Sequence, residues 1–433
     1  MRKKDFDVVI VGAGPAGLAA GYVLAKAKVN VAIIERGTFP GSKNVMGGIF
    51  YRKALDDLMP DFYKEAPLER HIIEQKLWLI SEDSVFSTGI RSEKFNKEPY
   101  NCFSVFRAKF DKWFAQKVQE AGALIINETV VKDPIVENGK VVGVRTDRPD
   151  GDLYCDCVIA ADGVNSFLAK SLGLREKITP NKVAIAVKEI IGLPENVIND
   201  RFGVSNDSEG VTIEITGPYF EGMETMGFIY TNKNSVSIGV GTIIEDIIEH
   251  KVNPNDLLEK FKTHPAIAPL IAGGETKEYL AHMIPEGGYY AVPKLYTDGF
   301  MVTGDAAMLV NSVHREGSNL AIESGKLAAR TYLEAREKGD FSAKSLSAYQ
   351  TKMEESFVLK DLKMYRNLPH LLEEKRYLLT KYPQLIIDSM YNIYNVDGVS
   401  KPDKIKAIKE RLKKDFGYWN LAKDMFTLWR KLG

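Results

Sequence analysis

A chain of 433 residues that is 45% hydrophobic and 27% charged reads as globular, with two or three domains or one large composite one. Its 58 Lys and Arg balance 58 Asp and Glu, so no basic field argues for a nucleic-acid partner. Three cysteines exclude a disulfide framework, and no run approaches the roughly 20 apolar residues of a membrane-spanning helix; a soluble or peripheral cytoplasmic protein without a secretory leader is expected.

Residues 6–11 (FDVVIV) form a short apolar run suited to a buried parallel strand. The turn Gly12-Ala13-Gly14-Pro15-Ala16-Gly17 comes next, then an Ala- and Leu-rich helical run over residues 18–28 and a second strand over 29–34 that ends on Glu35. Gly12 serves the tight turn, Gly14 lets backbone amides approach a pyrophosphate, and Gly17 lets the helix pack close to the strands. The pyrophosphate then sits on free N–H groups at a helix N-terminus, and Glu35 accepts from ribose hydroxyls. The acid comes eighteen residues after Gly17, so the whole strand–turn–helix–strand unit points to a dinucleotide.

Residues 36–48, beginning with Arg36, are Gly-rich and without periodicity, and so read as a loop. A glycine-bearing loop of this length suits wrapping a large cofactor, with Lys43 and Asn44 candidates to face a flavin ring or its diphosphate; an ordinary surface loop is the alternative. Residues 76–80 alternate as a strand does, and a helical run stopped by Gly122 carries Phe110, Trp113, Phe114 and Val118 on one face, with Arg107 just before it. Residues 124–126 are a strand, and residues 129–135 and 141–145 flank an Asn-Gly hairpin turn. A further strand over 157–161 runs into Asp162-Gly163, which places a carboxylate at the ligand-binding end of a sheet. Cys155 and Cys157 are two apart, which suits two buried structural cysteines; a [4Fe–4S] cluster needs four thiolates.

Residues 176–275 change character to strand-like stretches at 181–190, 210–215, 226–230 and 235–241, an antiparallel sheet inserted between the dinucleotide-binding segments. A helix over 253–263 ends at His264-Pro265, with His264 expected as a capping or surface residue. Residues 285–288 (PEGG) are expected to turn into a strand, and residues 299–303 form another that ends on Gly304-Asp305. Gly317, Ser318 and Asn319 then open a helix over 320–334. A second strand-end carboxylate and a second helix N-terminus suit a flavin: Asp305 for the ribityl hydroxyls, and the helix dipole for the pyrimidine edge that gains charge on reduction.

Taken together, the Gly12–Gly17 turn with Glu35 and Arg36, Arg107 before its helix, Asp162-Gly163 and Gly304-Asp305 resemble the glutathione-reductase-type FAD proteins. Residues 228–230 (FIY), Asn253-Pro254, residues 264–269 (HPAIAP), residues 286–288 (EGG) and residues 293–295 (PKL) resemble, in that order, the electron-transfer flavoprotein–quinone oxidoreductase family in its FixC-type branch. The resemblance covers about residues 5 to 340. It implies an α/β fold: a glutathione-reductase-type FAD-binding Rossmann-like domain (1–70, 100–175 and 276–340), an inserted antiparallel β-sheet substrate (quinone) domain (71–99 and 176–275) and an α-helical C-terminal region (341–433). It also implies non-covalent FAD held by Gly12, Gly14, Pro15, Ala16, Gly17, Glu35, Arg36, Lys43, Asn44, Gly47, Gly48, Arg107, Val131, Asp162, Gly163, Gly304, Asp305, Gly317, Ser318 and Asn319. Single-chain members carry a cysteine-clustered ferredoxin-like segment, whereas residues 341–433 hold no cysteine. The resemblance therefore puts the [4Fe–4S] centre on a separate small ferredoxin-like subunit. It implies two more partners, an electron-transfer flavoprotein (ETF) alpha/beta heterodimer that bifurcates electrons from NADH and a membrane quinone, menaquinone or ubiquinone, with the protein peripheral on the inner face of the cell membrane.

Three readings compete: an ETF–quinone oxidoreductase subunit, a geranylgeranyl-reductase-like FAD enzyme that saturates isoprenoid lipids, and a flavin-bearing scaffold without activity. A hydroxylase is disfavoured because the position seven residues after Asp162 is Ala169 rather than arginine. Tyr230 is the candidate quinone-lining residue, and residues 217–223 (GPYFEGM) are the expected apolar entrance, with ordinary core as the alternative. In the tail, Trp419, Ala422, Met425, Phe426 and Trp429 with Lys423, Arg430 and Lys431 suit a membrane surface or a partner groove, or packing onto the chain's own core.

Overall fold

The chain divides into two compact units. The computed structural model describes residues 4–43 and 48–432. The first unit takes Met1–His71, Lys97–Ala184 and Ala281–Lys363; the second takes Ile72–Asn96, Ile185–Leu280 and Met364–Gly433.

The first unit is built on a sheet with the order Tyr296–Thr297, Phe300–Val302, Cys157–Ala160, Val8–Val11, Val31–Ile34, Leu124–Ile126. Its last five strands are mutually parallel. Val8, Val9 and Ile10 are fully buried, the run of aliphatic residues that a parallel sheet covered on both faces requires. Val11 pairs with Ala160 and with Ile34, so the three strands end in register and their turns emerge at one edge. The helix Pro15–Lys26 packs on the helix Ser318–Lys338 at a distance set by glycine: a Cβ on Gly325 would stand 2.1 Å from the Ala16 carbonyl oxygen. Beside the main sheet lies an antiparallel one of Val131–Glu137, Lys140–Thr146 and Leu153–Tyr154. Its Asn-Gly turn has φ of 51° at Asn138 and 79° at Gly139, the twist a two-residue hairpin needs.

The second unit carries antiparallel strands. Thr225–Thr231 lies between Glu209–Thr216 and Ser235–Ile243, and Val85–Arg91 pairs back on Leu68–Ile80. Alternation divides the faces. Ile213, Ile229, Val236, Ile238 and Val240 point into a core closed by Phe261 on the helix Pro254–Thr263, whereas Phe228 and Tyr230 lie on the other face.

Three local expectations are corrected. The strand comes before residues 285–288 rather than after them, as Glu275–Pro285, and the chain then enters a turn of 3-10 helix, Tyr289–Ala291. His264 does cap its helix, but it is buried: its Nε2 donates to the Ser81 carbonyl at 2.9 Å and its Nδ1 accepts from Ala266 N at 3.1 Å. Residues 217–223 form no open entrance, because Tyr219, Phe220 and Met223 are 4%, 1% and 4% exposed and belong to the second core. Tyr219 donates its hydroxyl proton to the Lys260 carbonyl at 2.8 Å, which satisfies the buried phenol.

The helical C-terminal stretch is shared between the units. Tyr349, fully buried, donates to the Val302 carbonyl at 3.1 Å inside the first unit. From Met364 onward the chain belongs to the second, where Arg376 donates to the buried Asp246 carboxylate at 2.8 Å. Among the described residues, no helix is long and apolar enough to cross a membrane.

Candidate functional site

The parallel strands of the first unit deliver three turns to one sheet edge, and two helices start there. At the first turn Gly12 has φ of 102°, and a Cβ on it would fall 2.2 Å from the Ala161 carbonyl oxygen; one on Gly17 would fall 1.9 Å from the Gly12 oxygen. Only glycine fits either place. Gly14 is the N-cap of Pro15–Lys26 and offers no side-chain cap, and no acidic residue stands in the first helical turn. The N–H groups of that turn are therefore left for an external anion. Glu35 is buried and braces this turn: Oε2 accepts from Ala13 N at 2.9 Å and Oε1 from Gly37 N at 2.6 Å. Each carboxylate oxygen keeps a second lone pair for a ribose hydroxyl.

The second turn holds Asp162 and Gly163, directly beside Gly12. Asp162 Oδ2 accepts from Leu168 N at 3.3 Å; Oδ1 is buried without a hydrogen-bond partner among the described residues, as is the Oγ of Ser166, which is 0% exposed. Burial pushes the Asp162 carboxyl up to about 6. At the third turn Gly304 has φ of 59°, with its Cβ position 3.0 Å from that of Ala16, so Asp305 stands next to the start of the first helix. Burial raises the Asp305 carboxyl, and Arg107 and Arg175 pull the other way. Gly317 caps the helix Ser318–Lys338; Asn319 donates to Glu316 at 2.9 Å, and its Oδ1 is buried without a partner among the described residues.

Arg107 opens its helix and is held by a two-pronged pair with the fully buried Asp111, Nε to Oδ1 at 2.9 Å and Nη2 to Oδ2 at 2.8 Å. Burial opposes its charge, yet Asp111, and beyond it Asp305, hold the guanidinium above its ordinary value. The loop packs here as well: a Cβ on Gly41 would stand 2.9 Å from the Arg107 carbonyl oxygen. Arg36 and Lys43 are exposed, the Gly48 carbonyl accepts from Val105 N at 2.9 Å, and Val131 starts its strand half-buried, paired with Thr146. Asn44 and Gly47 lie outside the described residues. Tyr230 belongs to the second unit, half-buried and stacked on Phe228 at 5.0 Å.

Sequence reasoning missed Arg175. Its guanidinium is buried, donates to the Val164 carbonyl at 2.8 Å and the Ala306 carbonyl at 3.1 Å, and faces both Asp162 and Asp305. This cation comes from thirteen residues beyond Asp162, where no local motif marks it. Arg315 stands in the loop before the second helix. It holds φ of 53° in a turn closed by reciprocal backbone bonds between Asn311 and Glu316.

A glycine cradle at one helix N-terminus, a second helix N-terminus beside it, and unpartnered oxygens on Asp162, Ser166 and Asn319 fit a dinucleotide that brings a diphosphate and polar ring and ribityl groups. An FAD-binding domain family matches residues 5–202, and the ETF-QO/FixC family C-terminal domain matches residues 368–433. Protein FixC of Azotobacter vinelandii is 48% identical over 426 residues, covering 98% of this chain and 98% of that protein. The chain belongs to the ETF-QO/FixC family. The probable electron transfer flavoprotein-quinone oxidoreductase YdiS of Escherichia coli K12 is 39% identical with the same coverage of both chains, 98%. A geranylgeranyl bacteriochlorophyll reductase-like structure from Thermoplasma acidophilum aligns with a TM-score of 0.73 at 23% identity, over 98% of this chain and 99% of that one. The flavin-dependent brominase Bmp2 aligns at 0.64 and 18% identity, over 94% and 99%. These two likenesses show the fold: an α/β FAD-binding fold with a helical C-terminal region. The protein is an FAD-dependent electron-transfer oxidoreductase of this family.

Proposed function

We propose that this oxidoreductase takes electrons from a bifurcating ETF alpha/beta heterodimer and delivers them to menaquinone or ubiquinone at the inner face of the cell membrane. A small ferredoxin-like subunit carries the [4Fe–4S] centre. The observation that carries this reading is the near-full-length similarity to proteins named FixC and ETF–quinone oxidoreductase, on a chain whose three cysteines are all buried and free.

Bound FAD supplies the redox chemistry, since a flavin exchanges electrons singly or in pairs. The chain's own residues bind and orient it. The amides after Gly14 and the helix dipole hold the diphosphate, Glu35 the ribose, and Asp305 the ribityl hydroxyls. Gly317, Ser318 and Asn319 present the second helix N-terminus to the pyrimidine edge, where negative charge collects on reduction. Tyr230 lines the quinone, ring packed and hydroxyl toward a quinone oxygen.

Purified protein reduced through an ETF donor should lose its electrons to a short-chain quinone analogue within seconds. Reduction that saturates an isoprenoid double bond, with the quinone left untouched, would replace this reading with the geranylgeranyl-reductase-like one.

The flavin is held without a covalent bond. Acid denaturation should leave the yellow colour in the supernatant, and Asp305→Ala should lower the flavin-to-protein ratio several-fold through loss of a charge-assisted hydrogen bond worth about 1.5–3 kcal/mol. Colour that stays with the precipitated chain would refute non-covalent binding, and full occupancy in the variant would remove Asp305 from the ribityl contact.

A further inference from the structure

Arg315 stands two residues before Gly317, the cap of the helix Ser318–Lys338. Its loop is tied down: beyond the paired backbones of Asn311 and Glu316, the Asn311 side chain accepts from Val313 N at 3.2 Å and from His314 N at 3.4 Å. Near Arg315 is Tyr51, which ends the strand Ile49–Tyr51 that follows the loop 36–48. That strand pairs with Cys102–Val105, which leads into Arg107. Arg315 therefore stands among segments of the flavin site. Burial lowers its guanidinium to about 10, so it remains charged at neutral pH, and burial raises the Tyr51 phenol, which stays protonated. A cation in a poorly hydrated place acts on its surroundings far more strongly than one in water, and most favourably on a neighbour that gains negative charge.

The start of the helix says which part of the flavin comes here. Its first turn has no acidic residue and no side-chain cap, so its amides are left for an acceptor. Asn319, 9% exposed, donates its Nδ2 to Glu316 at 2.9 Å, and its Oδ1 is buried with no partner among the described residues. That oxygen calls for a donor. The pyrimidine edge of a flavin offers both kinds of group, two carbonyl acceptors and the N3–H donor between them. Reduction gathers negative charge at N1 and C2=O of the same edge, where oriented amides and a cation stabilise it.

We propose that Arg315 lies against the pyrimidine edge of bound FAD and, together with the helix start, stabilises the charge of the reduced ring, which raises the potential at which this protein accepts electrons. The proposal rests on the placement of that edge at Gly317, Ser318 and Asn319.

The test is the midpoint potential of the full FAD-loaded chain, read by equilibration with a reference dye. Arg315→Met should weaken the preference for reduced over oxidised flavin about tenfold or more, a fall of about 30 mV for a two-electron couple. Arg315→Lys, which keeps the charge, should restore part of it. Should the methionine variant purify without flavin, Arg315→Gln carries the same measurement and the same expectation. Reconstitution with 8-mercapto-FAD separates the proposal from the placement it rests on. That flavin is red while its negative charge stays on sulfur, and turns blue when a positive environment at the pyrimidine edge draws the charge to N1 and C2=O. A blue wild type that Arg315→Met turns red, with the lowered potential, upholds the proposal. Blue in both, with the potential unchanged, overturns it and leaves the helix placement standing. A red wild type overturns the placement, and the proposal with it.

Discussion

Gly17→Ala is expected to yield a protein that purifies without flavin. The added Cβ would lie 1.9 Å from the Gly12 oxygen and 3.1 Å from its carbonyl carbon, with Ile10 Cγ2 at 3.2 Å. Those neighbours are backbone and buried strand, so no flexible side chain can give way. The helix Pro15–Lys26 must lift from the sheet, and it cannot tilt freely because Gly325 clamps its start against Ser318–Lys338. Overpacking of this kind costs about 1–3 kcal/mol or more. It falls on the turn whose amides are needed for the diphosphate, so binding suffers beyond stability. The ratio of flavin to protein absorbance, read alongside the unfolding midpoint, checks this. A variant that keeps full flavin would mean that the diphosphate does not sit at this turn.

Arg175→Met is expected to cost about 1–3 kcal/mol of stability, the usual result of leaving buried carbonyls without their donor. The Val164 and Ala306 carbonyls lose their donor, Asp162 loses a nearby cation, and Asp305 keeps only Arg107. The pH dependence carries a sign that a packing defect would not. Burial already raises Asp162 to about 6, and removing Arg175 raises both carboxyls further. A carboxyl whose folded value lies above its unfolded one stabilises fully below the unfolded value and loses that contribution as pH rises through the folded one. The deficit of the variant should therefore grow between pH 5 and pH 8, measured by urea unfolding of the FAD-free protein. Arg175→Lys, which keeps the charge without the planar guanidinium whose Nη1 reaches both carbonyls, should fall between the two. A deficit equal at both pH values would reduce Arg175 to a packing role.

Much of the first unit was legible because its signals are local. Residues 6–35 specify strand, turn, helix and acid through chain-neighbour sterics, and the Asn138-Gly139 turn needs nothing beyond its own two residues. The resemblance over about residues 5 to 340 made the cofactor and the family legible for a different reason: the motifs recur in order along the chain. The misplaced strand near residue 285 has a local cause of failure, since Gly287 and Gly288 break a run without saying on which side the strand lies.

The sequence by itself determined which residues could form the flavin turns, and that the C-terminal helix is amphipathic with basic neighbours. Only the tertiary structure decided that Arg175 stands near both strand-end carboxylates, with Arg107 also near Asp305, because that proximity is made by strands far apart in the chain. It also decided that Tyr219, Phe220 and Met223 fill a core, and that the aromatic face at Trp419 looks out. A helix's pattern shows that it has an apolar side; the three donors gathered on Asp424, from Lys375, Tyr377 and Tyr382, set which way that side turns.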